Sequence, residues 1–244
     1  MKIFIDAGHN FSGFNTGAVG NGMREQDISF DVAFELGRIL GAAGLEVMLS
    51  RPTLETNLGH DNNSAVNARW QMANNWGADY FVSIHANAGG GTGAETLYFG
   101  EDSRQFARTV QDIYSEAMGL RNRRIWERSD LGVLRRTNCP AILVELAFID
   151  SPLSNPDVEI LRNRRPEMAA AVAAGVLEYL GVEKGVRGQR SEVRFDSVEE
   201  VPEWGRGTVE KLVELGHLRG DCAGLDLSVD MLRILVIHDR AGLF

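Results

Sequence analysis

AILVELAF, residues 141–148, contains seven apolar residues and one charged residue, Glu145. A short apolar run of this kind predicts a strand that is buried on both faces of a mostly parallel sheet. A carboxylate is costly to bury without a partner. Glu145 is therefore also the first candidate for a functional residue.

Outward from this segment, strand-like runs alternate with helical periodicities up to about residue 180. The other predicted strands are KIFID (2–6), LEVMLS (45–50), YFVSIHA (80–86) and GAETLYF (93–99). Apolar residues at helical spacing predict helices between them. Such alternation predicts an α/β fold, in which a mostly parallel twisted sheet carries helices on both faces.

The pattern changes near residue 181, and the chain of 244 residues is long enough for a large domain and a small one. We predict a first domain at 1–181, a polar, glycine-rich linker at 182–192, and a small helical C-terminal domain at 193–244. About 50 residues is close to the lower limit for independent folding. This segment therefore docks on the first domain or self-associates, which would make the protein a homo-oligomer.

Composition and charge exclude several classes of partner. The net charge of −9 opposes the electrostatic attraction that non-specific nucleic-acid binding requires. No segment approaches the roughly 20 apolar residues of a membrane span, so we expect no membrane insertion.

The N-terminal MKIFIDAGHN lacks the features of a signal peptide. This predicts synthesis in the cytoplasm, with a separate release route for any action outside the cell.

Three further residues complete a candidate metal site with Glu145. His9 follows the first predicted strand, His85 ends another, and Glu25 begins a helix, where its charge also suits the helix dipole. Sites in parallel sheets form where the carboxyl ends of strands meet. Two imidazoles and a carboxylate are a typical ligand set for a hydrolytic zinc ion with one open position. Taken singly, each residue also has an ordinary structural explanation, and several classes of metallohydrolase stay open.

Ordered blocks of the first domain resemble the zinc-dependent N-acetylmuramoyl-L-alanine amidases of the amidase-3 type. The blocks include DAGHN (6–10), GNGMREQD (20–27), NARWQMAN (67–74), ADYFVSIHANA (78–88) and LGVLRRTNCPAILVELAFID (131–150). The resemblance covers residues 1–181. It implies the α/β amidase fold and hydrolysis of the amide between N-acetylmuramic acid and L-alanine in peptidoglycan.

The resemblance also implies the role of each site residue. His9, Glu25 and His85 fall on the positions that bind one Zn²⁺ ion, and Glu145 falls on the catalytic glutamate. An amidase without a signal peptide is expected to be a phage or prophage endolysin released through a holin pore, or a host autolysin freed at cell lysis. The alternatives are a zinc peptidase of similar fold and a wall-binding protein without catalytic activity.

Two substrate-binding residues are predicted less directly. Six arginines crowd residues 121–136, and planar guanidinium groups can bind the carboxylates of stem peptides in bidentate fashion. Arg135 is the favoured member, and the alternative is a solvated charged loop. Asn87, two residues past His85, is expected either to hydrogen-bond substrate or to shape the turn.

The C-terminal segment VPEWGRGTVEKLVELGHLRGD (201–221) resembles one surface-layer-homology repeat. This implies a module for wall targeting or self-association, and the alternative is a segment that only helps the chain to fold. Because the segment is acidic, we expect it to recognise a specific wall glycan rather than to bind by charge attraction.

Overall fold

The computed structural model describes residues 1–182 and 194–218, together with Leu225, Leu227–Ser228, Leu232, Leu235–Val236 and Asp239. The chain divides into two compact units, Met1–Lys184 and Gly185–Phe244. The division falls within the linker that was predicted at 182–192, of which only Val182 belongs to the described residues. No helix in the described part of the chain is long and apolar enough to cross a membrane.

Residues 1–182 form eight strands and six helices. The strands are β1 (Lys2–Ala7), β2 (Val19–Gly20), β3 (Met23–Arg24), β4 (Glu46–Leu49), β5 (Tyr80–Asn87), β6 (Ala94–Tyr98), β7 (Asn122–Glu127) and β8 (Ala141–Phe148). The helices are α1 (Glu25–Ala42), α2 (Asn62–Trp76), α3 (Glu101–Met118), α4 (Gly132–Arg135), α5 (Pro156–Asn163) and α6 (Arg165–Tyr179). The predicted alternation of strands and helices is confirmed.

Six of the strands form one sheet in the order β4-β1-β5-β8-β6-β7. β4, β1, β5 and β8 run parallel to one another, whereas β6 is antiparallel to β8 and β7 is parallel to β6. Residues 88–93, which join β5 to β6, are too few for a crossover helix. The chain therefore re-enters the sheet from the same end, which reverses β6. The mostly parallel α/β class is confirmed.

The two faces of the sheet carry different helices. Apolar side chains of α1, α3 and α6 pack on one face, and those of α2 and α4 pack on the other. On the second face, the apolar layer contains Phe4, Phe81, Leu97 and Leu143. Because strand side chains alternate with a period of two, the next positions on that face are Asp6, Ser83, Glu95 and Glu145. The half of this face beyond the apolar layer is therefore polar, and it holds the candidate site.

The C-terminal unit contains α7 (Glu203–Glu214) and an antiparallel strand pair, β9 (Arg194–Phe195) with β10 (Leu227–Ser228). Its described core comprises Phe195, Val201, Val209, Leu212, Leu227, Leu232 and Val236. The segment 193–244, predicted as a small helical domain, thus also contains a short strand pair among its described residues. Two-residue strands are too short to produce a detectable alternation in the sequence.

We expect Gly175→Ala to destabilise the protein although alanine favours helices. A Cβ at Gly175 in α6 would lie 2.7 Å from the Cα of Val110 in α3, so the two helices would have to separate. Overpacking of this kind costs about 1–3 kcal/mol of unfolding free energy. The matched control is Gly41→Ala in α1, where a Cβ meets nothing within 4 Å. Thermal unfolding of both variants tests this, and equal melting temperatures would contradict the close approach.

Candidate metal centre

The structure brings together the three residues that the sequence indicates as metal ligands. His9 Nε2 lies 2.9 Å from Glu25 Oε1, and His85 Nδ1 lies 3.0 Å from the same oxygen. The two imidazole nitrogens are 3.1 Å apart. The three side chains thus present two nitrogens and one oxygen to a common point, as a metal site requires.

Each residue reaches this point from a different element. His9 lies two residues beyond β1 in the left-handed conformation (φ 65°), Glu25 is the first residue of α1, and His85 lies near the end of β5. The Glu25 carboxylate accepts hydrogen bonds from the backbone amides of Ala18 (2.8 Å) and Ala86 (3.1 Å). These bonds fix the carboxylate before any ligand binds.

The charge states of His9 and Glu25 suit a divalent cation, and His85 would release its proton on binding one. Burial, opposed by the hydrogen bond to Glu25, lowers the pKa of His9, which favours the neutral imidazole. For Glu25, burial is outweighed by hydrogen bonds to His85 and His9, and its pKa lies well below the usual range. For His85, burial is outweighed by the bond to Glu25, and its pKa is raised. A cation would satisfy the three facing atoms at once, whereas a proton can bridge only two of them.

Two buried arginines hold the backbone that carries His9. Arg69 donates to the carbonyl oxygens of Ala7 (2.6 Å) and His9 (2.5 Å), and it forms a buried ion pair with Asp6. Arg51 donates to the carbonyl oxygen between them, that of Gly8, at 3.2 Å. Three consecutive carbonyls are thus fixed by guanidinium groups.

Sequence reasoning assigned no role to Arg69, although one signal was available. Arg69 lies at i,i+4 spacing between Ala65 and Ala73 in α2, and all three residues are buried. An arginine on the buried face of a helix needs a buried partner. In the folded chain that partner is Asp6.

Gly8 allows the ring of His85 to pack directly beneath the turn that carries His9. A Cβ at Gly8 would lie 2.5 Å from both Cε1 and Nε2 of His85, and 2.7 Å from the carbonyl oxygen of Ile84. Only glycine fits this approach without displacing the ring.

Glu145 lies on the strand next to β5, beside the three candidate metal ligands. The sheet register pairs His85 of β5 with Glu145 of β8, and Glu145 with Glu95 of β6. Paired residues on adjacent strands point to the same face, so the three side chains form one row. Burial raises the pKa of Glu145 to about 7, with Glu25 and Glu95 adding to the effect of burial against the opposing charge of His85. Its Oε2 is buried and has no hydrogen-bond partner among the described residues.

Glu95, which sequence reasoning also missed, continues the row and is anchored on both oxygens. Asn87 Nδ2 donates to Glu95 Oε1 at 2.7 Å, and Arg123 Nε donates to Glu95 Oε2 at 2.9 Å. The Arg123 guanidinium also lies 4.8 Å from the ring centre of Phe148. The sequence signal was that Glu95 is a charged residue in the predicted strand GAETLYF.

The arginine-rich stretch is not simply the loop that was considered as the alternative, because Asn122–Glu127 form the edge strand β7. In the sequence, the arginines of β7 give it the pattern of a solvated segment. Within β7, only Ile125 packs against the core formed with α1, α3 and α6. Arg135, the favoured substrate-binding residue, is exposed on α4. Its guanidinium forms no hydrogen bond or ion pair with the described residues, so its role stays a prediction.

Comparison with known families agrees with this geometry. The amidase-3 family, described as N-acetylmuramoyl-L-alanine amidase, matches residues 3–178. The chain belongs to this family. The matched range contains the three clustered residues, Glu145 and the whole six-stranded sheet apart from Lys2, the first residue of β1.

Individual relatives of this amidase-family chain come from bacteria and a phage. The sporulation-specific N-acetylmuramoyl-L-alanine amidase of Bacillus subtilis (strain 168) is 36% identical over 156 residues, covering 62% of this chain and 57% of that protein. The endolysin of Bacillus phage SPP1 is 32% identical over 196 residues, covering 75% of this chain and 67% of that protein. This chain therefore spans less than two thirds of the length of the sporulation amidase.

Solved structures show the same fold. The N-acetylmuramoyl-L-alanine amidase from Clostridium difficile 630 has a TM-score of 0.65 and 32% identity, covering 75% of this chain and 98% of that one. The catalytic domain of CwlV, from Bacillus (Paenibacillus) polymyxa var. colistinus, has a TM-score of 0.64 and 32% identity, covering 75% and 99%. The shared fold covers nearly the whole of each of the two solved structures and three quarters of this chain.

We expect Gly8→Ala to weaken metal binding while the protein stays folded. The added methyl group displaces the His85 ring, and a change beside a metal ligand typically costs about 10–100-fold in metal affinity. Calorimetric titration of the metal-free protein with Zn²⁺ measures the effect, with circular dichroism as the folding check. Gly41→Ala is the matched control. Unchanged zinc affinity in Gly8→Ala would show that the ring does not need this space.

Proposed function

We propose that the protein is a zinc-dependent N-acetylmuramoyl-L-alanine amidase that cleaves the amide between N-acetylmuramic acid and L-alanine in peptidoglycan. One observation carries the proposal. On the amidase fold, Glu145 pairs in the sheet register with His85, which is one of the three clustered candidate ligands. In this proposal His9, Glu25 and His85 bind one Zn²⁺ ion. The cluster supplies three protein donors and would leave one position of the ion open to water or substrate, as in catalytic zinc sites.

Zinc would supply a Lewis acid that polarises the scissile carbonyl and lowers the pKa of a water molecule. Glu145 would accept the proton of that water and deliver it to the departing nitrogen of L-alanine. A carboxyl group whose pKa lies at about 7 can do both near neutral pH. Burial in the strand supports this role, because it brings the pKa of Glu145 into that range.

Glu95 would act as a positioning residue for Glu145. Its carboxylate is fixed by Asn87 and Arg123, and its charge faces Glu145 across the strand pair. This supports the second of the two expectations for Asn87, in which the amide shapes the local structure. Contact between Arg135 and the stem peptide belongs to the same proposal.

The setting in which the enzyme acts is also proposed. The names of the relatives, an endolysin and a sporulation-specific amidase, support action on the cell wall. Release through a holin pore or at cell lysis would bring the enzyme to that substrate. The C-terminal unit would bind a specific wall glycan or join two copies of the chain.

Glu145→Gln is expected to retain zinc and lose at least about 10²–10⁴-fold in turnover, since it removes the proton acceptor. His85→Ala is expected to lose both zinc and turnover. Glu116→Gln, on the exposed face of α3, is the matched control. Metal analysis of the purified proteins and mass spectrometry of digested peptidoglycan, with and without EDTA, give both readouts.

The chemical identity of the product separates the alternatives. A new L-alanine amine terminus supports the amidase, whereas cleavage within the stem peptide would indicate a zinc peptidase. Wall binding without any new terminus would indicate a non-catalytic protein. Full turnover in Glu145→Gln would contradict the assigned role.

Arg135→Ala is expected to raise KM on intact walls several-fold while kcat stays within about twofold, because a guanidinium that only binds a carboxylate contributes uniform binding. Arg38→Ala is the control, since Arg38 is exposed and pairs with Glu35 of its own helix. Steady-state kinetics on purified walls decide the point. Unchanged KM removes Arg135 from the substrate site.

A further inference from the structure

A pocket of about 550 Å³ opens at the outer edge of the sheet between α3 and β7. Its floor includes Tyr98 and Ile125, which pack on the α1, α3 and α6 side of the sheet. His85 and Glu145 project from the opposite face. The pocket is therefore separate from the candidate metal centre.

Three arginines line this pocket. Arg104 and Arg108 are one helical turn apart on α3, so they project from the same side of the helix. Arg124 comes from β7 across the pocket. Two elements thus direct positive charge into one space on the opposite face of the sheet from the proposed chemistry.

A bulge in β7 places Arg124 in the pocket. The register runs from Ala94–Asn122 to Thr96–Ile125, so β7 has one residue more than β6 at this point. Arg124 takes φ 74°, and its amide donates to Asn122 Oδ1 at 2.8 Å. The extra residue lets both Arg124 and Ile125 line the pocket.

The positive charge of the pocket is largely uncompensated. Arg108 and Arg124 have no carboxylate within ion-pair distance in the described part of the chain. Arg104 pairs with Glu101 at 3.3 Å, but both side chains are exposed, and such pairs contribute little. Asp112 is the acid in the pocket lining, and its Oδ1 accepts a hydrogen bond from Asn122.

This arrangement works against the stability of the free protein. Like charges one helical turn apart, such as Arg104 and Arg108, are mildly destabilising. The chain as a whole is acidic, with a net charge of −9, so solubility does not require a cluster of arginines here. An anionic ligand would offset the repulsion.

We propose that this pocket binds phosphodiester groups of an anionic wall polymer and so holds the enzyme on its substrate. The two non-bridging oxygens of a phosphodiester carry its charge and can accept from several guanidinium groups, and Arg is the residue best suited to bidentate phosphate binding. The volume far exceeds that of one phosphate group, which favours a chain of linked phosphates over the free ion. Attachment to the wall rests on the proposed amidase function, whereas phosphate binding does not.

The test measures binding of the full-length protein to poly(glycerol phosphate) by calorimetry. Arg108→Gln and the double variant Arg108→Gln/Arg124→Gln are compared with Arg38→Gln, which removes an equivalent exposed arginine elsewhere. Loss of two charge-assisted contacts is expected to weaken binding at least about tenfold. Arg108→Gln is expected to show an intermediate loss, Arg38→Gln is expected to bind within about twofold of the original chain, and unchanged melting temperatures exclude misfolding.

Inorganic phosphate and polyglutamate complete the experiment. Tight binding of phosphate alone would overturn the polymer assignment, and equal binding of polyglutamate would overturn the phosphate assignment. Equal polymer affinity in the double variant, or no affinity in the original chain, would overturn the site itself. Hydrolysis of a soluble muropeptide is measured in parallel and is expected to be unchanged in the double variant. A failure of the amidase proposal would appear in that assay alone.

Discussion

The candidate centre depends on the buried ion pair between Arg69 and Asp6. Removing one partner of a buried pair costs about 3–5 kcal/mol, because the other charge is left without compensation. Burial would raise the pKa of Asp6, but the Arg69 charge and the hydrogen bond from Ser83 outweigh it and lower that pKa. Asp6 therefore stays ionised, and it joins α2 through Arg69 to β1 and β5. The turn that presents His9 starts from this junction.

The face of the sheet that carries α2 and α4 is apolar in one half, where the helices pack, and polar in the other half, where the candidate site lies. Phe81 and Leu143 pack under α2 and α4, whereas His85 and Glu145 follow two positions later on the same strands. A parallel pair of rigid strands sets the separation of a ligand and the proposed proton acceptor. Neither depends on a loop for its position, which is the arrangement that holds reacting groups most accurately.

The sequence predicted what depends on local pattern and missed what depends on distant partners. The strand at 141–148 was predictable because apolar residues fill both of its faces, and Glu145 was conspicuous there. The reversal of β6 follows from the short connection between β5 and β6, which passes over β8. Hydrophobic periodicity in the sequence does not indicate the direction of a strand. Arg69 acts on a backbone segment some 60 residues away, so only the folded chain shows its role. β7 was hidden because arginines and a bulge interrupt its alternation.

The bulge in β7 lets this strand contribute an arginine both to the surroundings of the candidate metal centre and to the arginine-lined pocket. With the extra residue, Arg123 reaches Glu95 on the face of the metal centre, while Arg124 lines the pocket on the other face. Side chains of a strand alternate with a period of two, so a shift of one residue moves every following side chain to the opposite face. A regular strand could not direct Arg123 toward Glu95 and also keep Ile125 on the side of the core. The positive φ of Arg124 is therefore the local strain that lets one short edge strand contribute to both faces.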